Sequence, residues 1–186
     1  LQLAVLLKRA EAFAGHAIQV AGLSATVATP SDIWQFFRPG TTLVTVKDDQ
    51  AKPLDSVIRC LSSPRALVAL IDDIGSRPRA KILVFVNARR ECDRLAAAWR
   101  TSTSFGENVF AHHSSLDGGA RIAVEKKFQE ASKAVCIATS TLELGIDIGD
   151  IDLVMLYGHP GSWESLLQRI GRGNRRSNKT NVACLV

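Results

Sequence analysis

The sequence predicts an α/β protein built on a parallel β-sheet, and two patterns support this. Segments with helical spacing of apolar residues alternate with short apolar, β-rich segments along most of the 186 residues. Residues 82–86 are apolar throughout, which is typical of a parallel strand buried on both faces. Hydrophobic residues make up 46% and charged residues 22% of the chain, which argues against a coiled coil, collagen or a disordered protein.

Residues 1–46 carry the first four predicted elements. In order, these are a helix over 3–13, a strand over 18–23, a helix over 30–37 and a strand over 41–46. Gly15 is placed to end the first helix, and Ser31 is the candidate N-cap of the second. Residues 47–54 are polar and contain Pro53, which predicts a linker.

A second series of elements follows the linker. It comprises strands over 56–61, 82–86, 108–112, 135–139 and 153–157, and helices over 64–74, 91–100, about 118–130 and about 163–172. Asp117 and Ser162 are candidate caps for the last two helices. The sequence ends in a β-type run over 182–186 and begins with Leu1 instead of Met, so we expect a piece of a longer protein.

The charge distribution favours an anionic partner. The net charge is +5, and residues 169–179 contain five basic residues and no acidic residue. No apolar run approaches the roughly 18–20 residues of a membrane span, so we expect no membrane partner. The four cysteines are far apart in the sequence, and we expect no metal site.

Polar residues follow several predicted strands at the point where each strand ends. In parallel sheets, ligands bind beyond these carboxyl ends. Hydroxyl groups, backbone amides and Arg, which suit phosphate, dominate these segments. They are 24–26, 87–90, 112–115, 139–141 and 158–160. Adjacent side chains on a strand point to opposite faces, so His112 and His113 form a poor chelating pair.

Four segments, in chain order, resemble motifs of superfamily 2 helicases. Residues 22–27 are similar to motif III, 83–87 to motif IV, 137–147 to motif V and 168–175 to motif VI. The sequences of motifs V and VI, together with Ala-His-His at 111–113 and Ser-Leu at 115–116, are most similar to those of large-helicase-related (Lhr) DEAD/DEAH enzymes. The resemblance covers residues from about 1 to 180.

This resemblance implies two RecA-like lobes with ATP in the cleft between them. Residues 1–46 would be the end of the first lobe, 47–54 a linker, and 55–186 most of the second lobe, truncated at its end. The first lobe would bring the P-loop, the DExH carboxylates and the Mg²⁺ that accompanies ATP. We expect the parent protein to hydrolyse ATP in the cytoplasm. Because the sequence contains no P-loop pattern, we expect no hydrolysis by this piece alone.

The resemblance also assigns an ATP site. Arg172 and Arg175 would be arginine fingers that neutralise charge during phosphoryl transfer, and Gln168 would contact the nucleotide or the facing lobe. These three residues stand at i, i+4 and i+7, so a continuous helix would place them on one face. Gly145 would allow ATP to approach the main chain closely, and Asp147 would point at the ATP ribose or the motif VI arginines. The alternative for the motif VI segment, 168–175, is a solvated basic helix end.

Further residues are expected to contact nucleic acid or the facing lobe. The predicted nucleic-acid contacts are Asn87, Arg89, His113, Thr139, Ser140 and Thr141. Arg89 is equally consistent with a surface helix end. Ser24 and Thr26 would couple the lobes through hydrogen bonds.

Three functions remain open at this point. The first is part of an ATP-dependent helicase or translocase, working with the rest of its chain on nucleic acid, with DNA favoured over RNA. The second is a module that binds nucleic acid or a protein without turnover. The third is a translocase subunit of a restriction or defence system.

Overall fold

The computed structural model forms two compact units, Leu1–Ala51 and Lys52–Val186. It describes residues 2–22, 29–46, 54–59, 63–143, 148–173 and 180–185. Seven of the eight predicted linker residues, 47–53, lie outside this part, and the eighth, Leu54, begins a strand.

The first unit contains two described helices, α1 (Gln2–Ala14) and α2 (Pro30–Phe37). Gly15 follows α1 with a φ of +73°, a conformation that glycine adopts without steric cost, so its predicted role as a stop is confirmed. The prediction of Ser31 as an N-cap is wrong. The helix begins one residue earlier, because Pro30 fits the first helical position and Thr29 takes the cap position.

The two strands predicted in the first unit are not formed in its described residues. In the segment 18–22, the Ile18 amide donates to Glu11 Oε1 at 2.9 Å and the Ile18 carbonyl accepts from Arg38. In 41–46, Val44 and Val46 are 82% and 94% exposed. β-branched residues form a strand only where a neighbouring strand pairs with them, and side chains take that place at Ile18.

Six parallel strands form one sheet in the described part of the second unit. They are β1 (Leu54–Arg59), β2 (Ala80–Phe85), β3 (Val109–His112), β4 (Lys133–Ala138), β5 (Leu153–Tyr157) and β6 (Thr180–Leu185). Their order is β1-β6-β5-β2-β4-β3, and every neighbouring pair is parallel. β1 joins the sheet through β6, with Leu54 opposite Thr180. The predicted α/β class with a parallel sheet is confirmed.

Four helices of the described region pack on the two faces of this sheet. They are α3 (Pro64–Gly75), α4 (Arg89–Ser102), α5 (Gly118–Glu130) and α6 (Trp163–Ile170). Side chains of β2 alternate between two hydrophobic clusters. The first cluster includes Ile71 (α3), Trp99 (α4) and Val84 (β2), and the second includes Phe128 (α5), Leu166 (α6) and Phe85 (β2).

Side-chain caps begin three of these helices. Ser63 Oγ accepts from the Ala66 amide at 3.3 Å, Asp117 Oδ1 from the Ala120 amide at 2.9 Å, and Ser162 Oγ from the Ser165 amide at 3.1 Å. The predicted caps Asp117 and Ser162 are therefore confirmed.

Helix α6 ends earlier than the sequence predicts. Its last residue is Ile170, and the Gly171 and Gly173 amides close the end by donating to Leu167 and Ile170 carbonyls. Gln168 thus lies in the helix and Arg172 beyond it, so the single helical face predicted for these two residues is wrong. The cause is the low helix propensity of glycine.

No helix in the described ranges is long and apolar enough to cross a membrane.

Candidate functional site

The predicted site residues that the structure describes lie at the carboxyl ends of β2, β3 and β4 and at the end of α6. Asn87 and Arg89 follow β2, His113 follows β3, Thr139, Ser140 and Thr141 follow β4, and Gln168 and Arg172 lie in and after α6. The other predicted site residues, Ser24, Thr26, Gly145, Asp147 and Arg175, lie outside the described residues.

A buried ion pair that the sequence analysis missed lies at the centre of this edge. Arg169 Nε donates to Glu143 Oε1 at 2.7 Å, and Ser165 Oγ donates to the same oxygen at 2.8 Å. The side chains of Arg169 and Glu143 are only 5% and 11% exposed. Arg169 and Ser165 are four residues apart, so one face of α6 presents both donors.

Arg169 also connects α6 to the end of β2. Its Nη1 donates to Asn87 Oδ1 at 3.3 Å, and its guanidinium carbon lies 5.3 Å from the centre of the Phe85 ring. Asn87 in turn donates from Nδ2 to the His159 carbonyl at 2.7 Å. The predicted motif IV, V and VI segments and the loop before α6 are thus joined by one hydrogen-bonded network.

The side chain of Arg172 contacts the main chain of Glu143. Its Nε and Nη2 donate to the Glu143 carbonyl oxygen at 3.2 and 2.8 Å, and the side chain is half-buried. This contact fixes the plane of the guanidinium beside the turn that follows β4.

The turn after β4 presents hydroxyl groups at the sheet edge. Ser140 is exposed, whereas Thr139 and Thr141 are half-buried. The Thr139 amide donates to the His112 carbonyl at 3.2 Å, and Thr141 Oγ1 lies 2.8 Å from His112 Nδ1. Within this turn, Ser140 therefore has the hydroxyl that solvent and a ligand reach most readily.

The two adjacent histidines contact helices on opposite faces of the sheet. His112 Nε2 lies 2.9 Å from Glu125 Oε1 of α5, and His113 Nε2 lies 3.0 Å from Asp93 Oδ1 of α4. Both rings are buried, and His113 Nδ1 has no hydrogen-bond partner among the described residues. The predicted contact of His113 with nucleic acid remains a prediction.

Arg89 is exposed at the start of α4 and bridges two loops of the edge. Its Nη1 donates to Ser115 Oγ at 2.9 Å. An exposed arginine beside the loop hydroxyl of Ser115 is suited to a phosphate group. Among the described residues, no three or more His, Cys, Asp or Glu side chains gather to hold a metal ion.

Glu143, Ser165 and Arg169 were missed for an identifiable reason. Glu143 stands alone as an acidic residue in the apolar segment 142–146, a signal of a buried, paired carboxylate. Its partner Arg169 is 26 residues away, and no local periodicity connects the two.

Several known proteins are similar to this chain. The helicase conserved C-terminal domain matches residues 63–177. ATP-dependent helicase Lhr-Core protein 2 of Thermococcus barophilus is 32% identical over 97% of this chain and 23% of its own length. ATP-dependent helicase Lhr-Core of Methanocaldococcus jannaschii is 40% identical over 56% of this chain and 12% of its own length. The chain thus spans less than a quarter of either relative.

A solved structure is also similar. Helicase Lhr of Mycobacterium smegmatis, bound to ssDNA and AMP-PNP, matches 98% of this chain and 26% of its own chain, with a TM-score of 0.84 and 28% identity. The second unit is accordingly a RecA-like α/β lobe. The chain belongs to the helicase conserved C-terminal domain family, and among superfamily 2 helicases it is of the Lhr type.

Proposed function

We propose that this chain supplies most of the second RecA-like lobe of a longer ATP-dependent helicase, together with the end of the first lobe (1–46) and the linker between them (47–53). The observation that carries the proposal is the position of Arg172, held against Glu143 at the carboxyl edge of the sheet. Arg172 and Arg175 act as arginine fingers toward ATP, and Gln168 contacts the nucleotide or the facing lobe. The similar Mycobacterium helicase was solved with AMP-PNP, which supports a nucleoside triphosphate as a ligand of the longer protein.

Nucleic acid binds along the same edge through its backbone phosphates. Asn87, Arg89 and Ser140 are exposed there, and Thr139 and Thr141 flank Ser140. Phosphate contacts of this kind hold the strand without reading its sequence. We favour DNA, because the similar Mycobacterium helicase was solved with ssDNA.

Mg²⁺ is held outside this lobe. The charge of Glu143, the buried carboxylate of the edge, is already balanced by Arg169 at 2.7 Å. This carboxylate is therefore not suited to binding a metal ion. Gly145 and Asp147 complete the proposed ATP contacts from the segment after Glu143.

Replacing Arg172 in the longer protein tests the finger. We expect Arg172→Ala to lower nucleic-acid-stimulated ATP turnover by a factor of about 10³ or more, because a positioned guanidinium contributes that much to phosphoryl transfer. Arg172→Lys keeps the charge but lacks the forked donors, so it restores little turnover. The affinity for single-stranded DNA, measured by fluorescence anisotropy, should change by less than about twofold.

Arg94→Ala is the matched control, since Arg94 is exposed and pairs with Glu91 on α4. It should leave turnover unchanged. Wild-type turnover in Arg172→Ala would refute the finger. Binding without turnover in the wild-type longer protein would instead favour a non-catalytic binding module.

A further inference from the structure

Glu143 ends a short rigid turn that begins at the proposed nucleic-acid contacts. Ser140–Leu142 form one turn of 3₁₀-helix directly after β4, and the Glu143 amide donates to the Ser140 carbonyl at 3.0 Å. Leu142 is 1% exposed and fixes the turn to the hydrophobic core. The turn therefore presents an exposed hydroxyl at one end and a buried carboxylate at the other.

Within the described residues, the hydrogen bonds to the Glu143 carboxylate all come from α6. Arg169 Nε and Ser165 Oγ both donate to Oε1, at 2.7 and 2.8 Å. A buried ion pair is weak evidence of a contribution to stability, because desolvation offsets much of its attraction. It does fix the orientation of the two segments that carry it, which are the turn and the helix.

The main chain of the same residue is held by Arg172. The Glu143 carbonyl oxygen accepts from Nε and Nη2 of that arginine, at 3.2 and 2.8 Å. Two arginines, three residues apart, thus bind the side chain and the main chain of one glutamate. A displacement of the turn is transmitted directly to the guanidinium of Arg172.

We propose that Glu143 is a positioning residue that couples phosphate binding at the Thr139–Thr141 turn to the placement of Arg172. This inference rests on the proposed function. Nucleic acid that binds Ser140 restrains the turn, and the turn sets the guanidinium through the Glu143 carbonyl. Arg169 and Ser165 keep the turn in register with the segment after α6. Nucleic acid thereby raises the rate of ATP turnover.

Glu143→Gln in the longer protein tests the coupling. Gln keeps the shape and an acceptor oxygen but removes the charge that Arg169 balances. We expect the ratio of turnover with single-stranded DNA to turnover without it to fall at least about tenfold. The fall should lie in kcat, whereas KM for ATP and the Kd for DNA should stay within about twofold, since Glu143 touches neither ligand. Glu130→Gln is the matched control, because Glu130 is exposed and lies 4.0 Å from Lys126.

A double variant separates positioning from folding. Glu143→Leu with Arg169→Met removes both charges, and apolar replacement of a buried pair commonly keeps a protein folded. We expect Tm to stay within about 5 °C of the wild type and the stimulation ratio to stay low. Wild-type stimulation in the double variant, or in Glu143→Gln, would overturn the coupling.

Two other outcomes are also decisive. A loss of stimulation accompanied by a Tm lowered by more than about 5 °C in both variants assigns the pair to folding and overturns the coupling. A wild-type protein that does not hydrolyse ATP overturns the proposed function itself, so the two failures are distinguishable.

Discussion

Arg169 is a buried cation whose charge is balanced from three directions. Glu143 accepts a hydrogen bond from its Nε, Asn87 accepts one from its Nη1, and the Phe85 ring lies beneath its guanidinium. Removing the partner of a buried charge typically costs about 3–5 kcal/mol of folding stability. For that reason a change at Glu143 is informative only when it keeps an acceptor for Arg169 or removes the arginine as well.

Gly75 illustrates how a single residue is fixed by packing. A Cβ at this position would lie 2.6 Å from Phe105 Cε2 and 2.9 Å from Ser104 Oγ, and the Phe105 ring is only 4% exposed. The buried ring cannot move aside without disturbing the core. We expect Gly75→Ala to lower the free energy of unfolding by about 1–3 kcal/mol in urea titrations, despite the better helix propensity of alanine.

Gly118→Ala is the control for this substitution. Gly118 begins α5, and a Cβ there would meet no atom within 4 Å. This variant should be neutral or slightly more stable. Equal stability of both variants would show that the Phe105 ring adapts.

The residues of the site were predictable to different degrees. Thr139, Ser140 and Arg172 stand in short motifs, so the sequence alone predicts them as site residues. Glu143 and Arg169 act only as a pair, and the pair exists because the turn after β4 meets α6 in the fold. Pairings between distant segments are beyond what periodicity and motifs in a single sequence indicate.

Helix α6 is the element that carries most of the network. Ser162 caps its first turn by accepting from the Ser165 amide, and Ser165 and Arg169 then face Glu143. A cap fixes where the helix begins, and it thereby fixes the positions of both donors.

Loss of a cap should be measurable in the free energy of unfolding. We expect Ser162→Ala and Asp117→Ala each to lower it by about 1 kcal/mol, because each leaves a helix amide without its side-chain acceptor. Ser132→Ala, at an exposed loop position, should change it by less than about 0.5 kcal/mol. Urea unfolding followed by circular dichroism checks all three, and a cap variant as stable as Ser132→Ala would contradict the assignment.

The accuracy of the element predictions differed between the two units. In the second unit, apolar runs correspond to strands because each has a parallel neighbour in the sheet. In the first unit, the runs 18–22 and 41–46 also contain β-branched residues but form no strand in the described residues. Propensity indicates which residues tolerate a sheet, and neighbouring strands decide whether one forms.

On the scale of the whole molecule, the net charge of +5 predicts salt-dependent binding of single-stranded nucleic acid. For single strands, log K falls with log salt by about 0.7 for each phosphate that is neutralised. We expect Arg89→Gln to make the slope shallower by about 0.7, because the side chain is exposed at the sheet edge. Filter binding of this chain to DNA and RNA oligomers of equal length measures the slope.

Arg94→Gln is the matched control for Arg89→Gln, since its guanidinium is paired with Glu91. Its slope should equal that of the wild type. A flat response of the wild type would contradict nucleic-acid binding, and tighter binding of RNA than of DNA would reverse the preference for DNA.

The position of β1 in the sheet has a consequence for synthesis of the chain. Among the described strands, β1 pairs with β6 alone, and Leu54 lies opposite Thr180. On the ribosome, β1 emerges first and remains without its neighbour until the residues through Leu185 have been added, on the order of ten seconds later. The edge of the lobe that carries β1 is therefore the last part of the sheet to assemble, and a nascent chain stalled before residue 180 exposes an unpaired strand.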